Sequence, residues 1–200
     1  MITIDIIKDA LNNRIQKSIK NGNSFYEHSA VLIPLFQENS ELKVLFTKRS
    51  NLVQHHKGQI SFPGGGVDKE DKSLEGTALR ESREEIGLQD KDIKILGRVD
   101  DLYTAVSNYI IHPYVGLIPY PYKFRINKSE VSRLLFVPLG IFMPDNMDSS
   151  HELENFTYRG PTYHFNGDTI WGATAMIMGN FIEIICDKIN GTRINAEKRG

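Results

Sequence analysis

The sequence predicts an α/β (α+β) fold in which a mixed β-sheet is sandwiched between helices. Four segments rich in β-forming residues occur between residue 28 and residue 118. Apolar residues at helical spacing mark the beginning of the chain, a middle segment and the end. The length of 200 residues predicts one domain, 1–200, with both terminal helices packed on it.

The first predicted element is an amphipathic helix over residues 4–20. Apolar residues recur there at helical spacing, and the Asn-Gly-Asn sequence that follows is a typical helix stop. The apolar positions are Ile4, Ile7, Leu11, Ile15 and Ile19. Two strands follow at residues 28–36 and 42–50, and the polar QENSE sequence between them predicts a hairpin. Strand patterns continue at residues 93–100 and 109–118.

Three further elements are predicted in the second half of the chain. Ser129 is expected to cap a short helix that runs over residues 130–134. The sequences ENFTYRG and PTYHFNG flank a Gly-Pro turn and predict a second hairpin over residues 154–167. A largely apolar helix is predicted over residues 172–189.

The overall charge is close to neutral, with 24 Lys and Arg against 25 Asp and Glu. Such a chain has no global field that would attract nucleic acid or a membrane surface. No stretch reaches the ~18 apolar residues that a membrane span needs, and the N-terminus lacks the pattern of a secretory signal. The single cysteine, Cys186, suits a reducing compartment. We therefore expect a cytoplasmic protein without nucleic acid or membrane partners, and a homodimer is left open.

A glycine turn followed by an acidic helix is the most distinctive feature of the sequence. Ser73 suits an N-cap, and Gly87 stands at the C′ position where helices commonly end. At about 100° per residue, Leu79 and Ile86 fall on one side of this helix, which is expected to face the core. The opposite side is expected to project into a cleft and carries Leu74, Ala78, Glu81, Glu84 and Glu85.

The three glutamates suit a hard divalent cation. Mg²⁺ and Mn²⁺ prefer oxygen ligands, and Glu81, Glu84 and Glu85 would offer carboxylates from one rigid element. The glycines before the helix permit close backbone approach, so a carbonyl of Gly64 or Gly65 can join the coordination.

An arginine stands beside the glutamates. Arg80 can pair with one of them and fix its rotamer, or it can reach a phosphate. The alternative interpretation of the segment is a solvent-exposed charged helix face, which is the usual origin of a Glu and Arg run. Periodicity and composition leave both interpretations open.

Residues 80–88, Arg-Glu-x-x-Glu-Glu-x-Gly-Leu, and the glycine turn before them resemble the Nudix box, Gly-x5-Glu-x7-Arg-Glu-U-x-Glu-Glu-x-Gly-U. Counting back from the arginine places Gly66 at the box glycine and Lys72 at the box glutamate. If Gly65 is the box glycine instead, the loop is one residue longer and Asp71 can replace the missing acid. A serine also stands at the aliphatic position within the box.

Residues 45–65 are similar to the pattern of a subgroup, the coenzyme A pyrophosphatases: Leu-Leu-Thr-x-Arg-Ser-x3-Arg-x3-Gly-x3-Phe-Pro-Gly-Gly. Gln54 stands where the pattern has its second arginine, and glutamine cannot supply a charge to a ligand phosphate. Basic residues nearby can compensate, namely Lys48, Arg49, His55, His56 and Lys57. The expected substrate-binding residues are Lys48, Arg49, Ser50 and Gly65.

The resemblance implies hydrolysis of a diphosphate bond by a metal-activated water. The cation would be Mg²⁺ or Mn²⁺, and Arg80 would orient a glutamate. The implied metal ligands are Glu81, Glu84, Glu85 and Gly64. The general base is open between Glu84 and Glu130. Glu130 also has the alternative role of a first-turn acid that interacts with the dipole of its helix.

The substrate is less closely defined than the reaction. For coenzyme A, the family implies release of 3′,5′-ADP and 4′-phosphopantetheine. Other nucleoside diphosphate derivatives, such as NADH, ADP-ribose or a dinucleoside polyphosphate, are alternatives. A non-catalytic nucleotide-binding regulator is an alternative of a different class, and the presence of all three glutamates weighs against it.

Overall fold

The computed structural model describes residues 2–19, 26–53, 56–105, 107–153 and 157–197. An eight-stranded sheet lies at its centre. Its strands are β1 (Glu27–Glu38), β2 (Glu41–Arg49), β3 (Ile60–Ser61), β4 (Gly64–Gly66), β5 (Lys94–Arg98), β6 (Leu102–Thr104), β7 (Tyr109–Leu117) and β8 (Val131–Pro138). The path is β3-β2-β1-β7-β5, and β4, β6 and β8 pair with β1, β7 and β2. Because β1 and β7 run parallel and the other pairs antiparallel, the sheet is mixed.

Helices and a small second sheet complete the fold. The α-helices are α1 (Ile4–Asn12), α2 (Leu74–Ile86) and α3 (Gly172–Glu197). The second sheet has the order β11-β10-β9, with β9 (Asp148–Glu152), β10 (Thr157–Phe165) and β11 (Asp168–Ile170). Short 3₁₀ helices lie at Asp90–Asp92, Leu139–Phe142 and Pro144–Asn146. Across the described ranges, every helix is too short or too polar to cross a lipid bilayer.

The central sheet is covered on both faces. Leu32 and Ile33 follow each other in β1 and are fully buried, yet they belong to different apolar clusters. Leu45 and Phe46 of β2 separate in the same way, because side chains along a strand alternate between its faces. One cluster includes residues of α1 and α3, and the other includes residues of α2. Helices therefore lie on both faces of a mixed sheet, which confirms the predicted fold class.

The N-terminal helix is shorter than predicted. It ends at Asn12, whose side-chain amide donates a hydrogen bond to the carbonyl of Leu96 in β5 at 2.7 Å. Beyond it, the backbone N–H of Ile19 donates to the carboxylate of Asp101 at 3.0 Å. The segment after α1 thus binds to β5 and the loop that follows it, and Ile15, predicted on the apolar face, is 94% exposed. The predicted stop sequence lies outside the described residues.

The helix predicted after Ser129 is wrong, because this region enters a strand. β8 pairs antiparallel with β2, and Val131 lies opposite Arg49. The N–H and hydroxyl of Ser129 both donate to the side-chain oxygen of Asn127, at 3.2 and 2.6 Å. This local turn leads directly into the strand, so Glu130 occupies a turn and not the first turn of a helix.

The predicted hairpin around the Gly-Pro dipeptide is also wrong. β10 runs through this dipeptide and pairs with β9 on one side and β11 on the other. A register shift between Arg159 and Thr162 accommodates the irregular backbone. Residues 154–156 lie outside the described ranges. The four strands predicted in the first half are confirmed as β1, β2, β5 and β7, and α3 begins where predicted but extends farther.

Candidate active site

Both predicted ends of α2 are confirmed. The Ser73 hydroxyl accepts a hydrogen bond from the backbone N–H of Gly76 at 3.0 Å. Gly87 has a φ of +72°, the left-handed conformation typical of a C′ glycine. A Cβ at Gly87 would lie 2.8 Å from the Cβ of Arg125, whose N–H donates to the carbonyl of Ile86 at 2.9 Å. The chain that leads to β8 therefore lies against the end of α2, where only glycine fits.

The buried face of α2 differs from the predicted face. Ala78, predicted on the side of the glutamates, is fully buried with Ile86 in the apolar cluster under the helix. Ser82 is also fully buried, and its hydroxyl donates to the carbonyl of Ala78 at 2.7 Å. Leu79, predicted to face the core, is only half-buried. Small side chains let the helix lie close to the sheet, so the buried surface extends as far as Glu85.

The three glutamates of α2 occupy different environments. Glu85 is 4% exposed, whereas the side chains of Glu81 and Glu84 are 16% and 53% exposed. Burial raises the pKa of Glu85 to about 8, and the charges of Glu81 and Glu130 contribute to this shift. Burial also raises the pKa of Glu81. The three glutamates therefore range from buried to solvent-exposed and do not form one uniform surface that faces a cleft.

Arg80 connects the glycine loop to two of the glutamates. Its Nε and Nη2 donate to the two carboxylate oxygens of Asp71, at 2.9 and 3.0 Å. Its Nη1 donates to Glu81 at 2.8 Å and to Glu84 at 3.1 Å, and Nη2 also reaches the carbonyl of Gly66 at 3.0 Å. The hydrogen bonds from Arg80 hold the pKa of Asp71 well below its usual range. A planar guanidinium suits this arrangement, because its five donors can bind several acceptors at once.

The glycine turn brings the backbone against a carboxylate. β4 pairs with β1, so that Gly65 lies opposite Ala30. A Cβ at Gly65 would lie 2.5 Å from the carboxyl carbon of Glu81, and a Cβ at Gly64 would lie 2.5 Å from the carbonyl oxygen of Ala30. Gly64 also has a φ of +156°, which other residues rarely adopt. Glycine at Gly65 is therefore required for Glu81 to sit against the turn, and glycine at Gly64 is required for the turn to pair closely with β1.

The donor set next to the turn fits a divalent cation. One oxygen of Glu85, Oε2, is buried and has no hydrogen-bond partner among the described residues. The charges of Glu81 and Glu130 contribute to the raised pKa of Glu85, and those of Glu84 and Glu130 contribute to the raised pKa of Glu81, so a bound cation would offset repulsion at both groups. In the part of the chain that the structure describes, no three Asp, Glu, His or Cys side chains are grouped as a ready-made metal site. Glu84 is turned toward Arg80.

The residues predicted to bind substrate lie in two places. Arg49 is close enough to Glu85 for its charge to lower the pKa of that carboxyl. The Nε of Arg49 is buried and has no hydrogen-bond partner in the described ranges. Gly65 belongs to the glycine turn. Lys48 lies elsewhere, since its ammonium binds Asp168 at 3.0 Å. The structure thus brings Arg49 and Gly65 to the glutamates and Lys48 to a second charged cluster.

Glu130 reaches the glutamates from the turn before β8. Its carboxylate accepts a hydrogen bond from the side chain of Asn127 at 2.9 Å. Its charge contributes to the raised pKa values of both Glu81 and Glu85. The backbone carbonyl of Glu130 accepts a hydrogen bond from the N–H of Ser50 at 2.7 Å, which ties the turn to the end of β2. Two segments far apart in sequence therefore meet at α2.

Two predicted substrate-side residues lie outside the described ranges, and two residues that contact the predicted site residues were not predicted. Gln54 and His55, expected near the substrate, lie outside the described residues, and His56 forms a hydrogen bond within its own loop at 2.9 Å. The sequence reasoning missed Asn127, which holds Glu130, and Asp168, which binds Lys48. Asp168 is 120 positions from Lys48, so no local pattern could have indicated it. Asn127 is three residues before Glu130 and was missed because a helix was predicted where the chain forms a turn.

The mixed sheet, the glycine turn and the acidic helix define a Nudix domain. A family model described as the NUDIX domain matches residues 26–153. The chain therefore belongs to the Nudix family, hydrolases that act on nucleoside diphosphate derivatives.

Curated relatives and a solved structure agree with this assignment. A protein of Photorhabdus laumondii is 34% identical over 155 residues, which cover 76% of this chain and 81% of the relative. A protein of Yersinia pestis is 33% identical, over 83% of this chain and 88% of the relative. Both are described as the uncharacterized Nudix hydrolase NudL. The MutT/nudix family protein from Enterococcus faecalis shares the fold, with a TM-score of 0.56 over 93% of this chain and 75% of its own, at 13% identity.

Proposed function

We propose that this Nudix hydrolase cleaves the diphosphate bond of coenzyme A or its derivatives, with release of 3′,5′-ADP and 4′-phosphopantetheine. The observation that carries the proposal is the buried carboxylate of Glu85, one oxygen of which has no partner among the described residues. An acid held in this way is suited to a cation and not to solvent. The pattern of residues 45–65 supports coenzyme A as the substrate.

Glu81 and Glu85 would hold a Mg²⁺ or Mn²⁺ ion. Glu84 is a third carboxylate once it turns away from Arg80, and the carbonyl of Gly64 is a further oxygen donor in the turn. When bound, the ion supplies charge neutralisation at the diphosphate and a water of lowered pKa. Glu85 is buried, and both glutamates present their oxygens from the same helix.

Two arginines have separate roles in the proposal. Arg80 is a positioning residue, because its guanidinium donates a hydrogen bond to Glu81 at 2.8 Å. Asp71 accepts a hydrogen bond from the same guanidinium and fixes its orientation. Arg49 lies near Glu85 with a buried donor that is unpaired within the described ranges. Such a donor suits a phosphate oxygen, since hydrogen bonds between charged groups are the strong ones.

We assign the general base to Glu130, with Glu84 as the second candidate. Glu130 accepts a hydrogen bond only from the neutral amide of Asn127 among the described side chains, whereas Glu84 binds the cationic Arg80 at 3.1 Å. Glu84 is thus already held by a guanidinium, whereas Glu130 is held only through an amide. Glu130→Gln should therefore lower kcat about 10²–10⁴-fold, the usual contribution of a general base. Glu84→Gln should lower kcat much less, and the reverse result would exchange the two assignments.

The proposed reaction is tested by product analysis with purified protein and Mg²⁺ or Mn²⁺. Coenzyme A should yield the two expected products, and EDTA should abolish turnover. Ranking kcat/KM for coenzyme A, NADH, ADP-ribose and a dinucleoside polyphosphate identifies the substrate. Hydrolysis unchanged by EDTA would refute the metal mechanism.

A different nucleoside diphosphate derivative is the second candidate, and the observation that favours it is Gln54 at the position of the subgroup arginine. If NADH or ADP-ribose ranks above coenzyme A, the diphosphate chemistry stands and the substrate assignment changes. Tight nucleotide binding without turnover of any substrate would instead support a regulator.

A further inference from the structure

A second charged cluster lies at the end of β2, away from the glutamates. Asp168 of β11 is 6% exposed. Its Oδ1 accepts from the ammonium of Lys48 at 3.0 Å, and its Oδ2 accepts from Nη2 of Arg133. We call Lys48, Arg133 and Asp168 the β2–β8 cluster. It joins three strands from distant parts of the sequence around one buried carboxylate.

The β2–β8 cluster carries more positive charge than its structural role needs. Lys48 and Arg133 lie directly opposite each other in the antiparallel pairing of β2 and β8. Like charges at such positions destabilise a sheet, so two cations here have a cost. Asp168 is the ion-pair partner of both within the described ranges, and one carboxylate cannot neutralise two cations. The cluster therefore has a net charge of about +1.

The excess charge faces outward. The side chain of Asp168 is 5% exposed, whereas those of Lys48 and Arg133 are 33% and 50% exposed. One hydrogen of each cation binds Asp168, and lysine and arginine offer about three and five donors in all. The remaining donors lie above a buried anchor. This is the arrangement of an anion site, in which a carboxylate fixes two cations and a solvent-facing ligand supplies the missing negative charge.

The β2–β8 cluster and the candidate active site use neighbouring residues of β2. Lys48 immediately precedes Arg49, and neighbouring Cα atoms are about 3.8 Å apart. Because side chains along a strand alternate between its faces, Arg49 lies on the α2 face of the sheet near Glu85, whereas Lys48 lies on the other face toward β11. The end of β2 therefore offers positive charge in two directions. A ligand that used both would carry two separated anionic groups.

We propose that Lys48 and Arg133 bind a phosphate monoester of the substrate, distinct from the diphosphate that is cleaved. This inference rests on the proposed function, because in coenzyme A the group would be the 3′-phosphate. A free inorganic phosphate has the same chemistry, and the experiments below separate the two sources. The β2–β8 cluster would then determine specificity for a phosphorylated ribose.

The first experiment compares coenzyme A with 3′-dephospho-coenzyme A, which keeps the diphosphate and lacks only the 3′-phosphate. For Lys48→Gln and for Arg133→Gln, the preference for coenzyme A, measured as the ratio of the two kcat/KM values, should fall about 10-fold or more. The fall should appear mainly in KM for coenzyme A. Each single variant leaves Asp168 with one cation, which preserves the buried pair.

The matched control is Lys43→Gln. Lys43 is also in β2 and also forms ion pairs, with Glu38 and Glu41, so the substitution removes the same charge from the same strand. The ratio should keep its wild-type value in this variant, and thermal unfolding should show that all three variants are folded. A ratio that is unchanged in Lys48→Gln and Arg133→Gln, or that falls equally in Lys43→Gln, would overturn the proposal.

The second experiment measures binding without turnover, so it is informative even if the enzyme does not cleave coenzyme A. Isothermal titration calorimetry should show that the wild-type chain binds 3′,5′-ADP more tightly than 5′-AMP. Both β2–β8 variants should lose this preference. Equal affinities in the wild type would contradict the site. Binding of inorganic phosphate that disappears in the variants, without a preference for 3′,5′-ADP, would contradict the substrate as the source.

Discussion

Glu85 and Asp168 are almost equally buried, at 4% and 6% exposed, but the fold compensates their charges in opposite ways. Glu85 has an oxygen with no partner among the described residues, and burial raises its pKa to about 8. Burial would also raise the pKa of Asp168, but hydrogen bonds from Lys48 and Arg133 outweigh burial and lower it. Glu85 is only partly compensated, by the nearby charge of Arg49, whereas Asp168 binds two cations directly.

The difference indicates which charge the fold completes and which it leaves to a ligand. An ionised group away from water is stable only when a partner compensates its lost hydration. Asp168 has this compensation within the chain. Glu85 does not, because Arg49 and the Gly64 backbone only partly offset its burial and the nearby acids. We infer that a cation completes the first site and an anion completes the second.

The largest expected effect is on turnover. Glu85→Gln keeps the shape of the side chain but removes a cation ligand, so kcat with Mg²⁺ should fall by about three orders of magnitude. The free energy of unfolding at pH 7 without metal should stay the same or rise, because folding no longer has to keep a proton on a buried acid whose pKa is raised to about 8. Steady-state kinetics and urea unfolding measure the two quantities. A variant that loses stability along with activity would show that Glu85 is mainly structural.

The two glycines of the turn should separate catalysis from folding. A Cβ at Gly65 would contact the movable end of Glu81, so Gly65→Ala should lower kcat/KM about 10- to 100-fold with little loss of stability. A Cβ at Gly64 would contact the backbone of Ala30, so Gly64→Ala should destabilise the fold itself. Kinetics and thermal unfolding of the pair check this. Equal losses of stability would mean that the turn does not serve Glu81.

The pH dependence of stability should also distinguish Glu85. Because its folded pKa of about 8 lies above its ordinary value of 4.5, the folded chain holds a proton that the unfolded chain releases between these values. Stability without metal should therefore fall as pH rises through this window, by about 1.4 kcal/mol per pH unit. The difference between wild type and Glu85→Gln in urea unfolding isolates this slope. Parallel curves from pH 5 to pH 8 would contradict it.

The smallest expected effect concerns Asp168. Asp168→Asn leaves Lys48 and Arg133 opposed without a carboxylate, which should lower the free energy of unfolding by about 1–2 kcal/mol, since both cations are partly exposed to screening solvent. Its lowered pKa gives the opposite sign from Glu85, because this stability is present above the ordinary pKa of 3.8 and is lost as pH falls below it. Urea unfolding in low and high salt measures the loss. A variant as stable as the wild type would show that Asp168 does not hold the cluster.

The sequence predicts best where the cause of a structure is local. The ends of α2 were predictable because Ser73 and Gly87 act through hydrogen bonds to their own helix. The burial of Ala78 and Glu85 was not predictable from periodicity, because it depends on how closely α2 approaches the sheet. Likewise, α1 ends early because distant groups, such as the Asp101 carboxylate, bind the segment that follows it.

The same distinction applies to the candidate site. The glutamates and the glycine turn are contiguous in sequence, so their pattern identifies them. Lys48 and Arg49 are also contiguous, yet they serve different clusters, because β11 brings Asp168 to one of them and α2 brings Glu85 to the other. Only the assembled sheet defines these partners.

Direct titration with Mn²⁺, followed by electron paramagnetic resonance, tests the central claim that the buried end of α2 is a cation site. The wild-type chain should bind Mn²⁺, and Glu85→Gln should weaken the binding at least about 10-fold. Glu75→Gln, which removes an exposed acid from the first turn of the same helix, should bind Mn²⁺ like the wild type. Equal Mn²⁺ affinity in the wild type and Glu85→Gln would contradict the account.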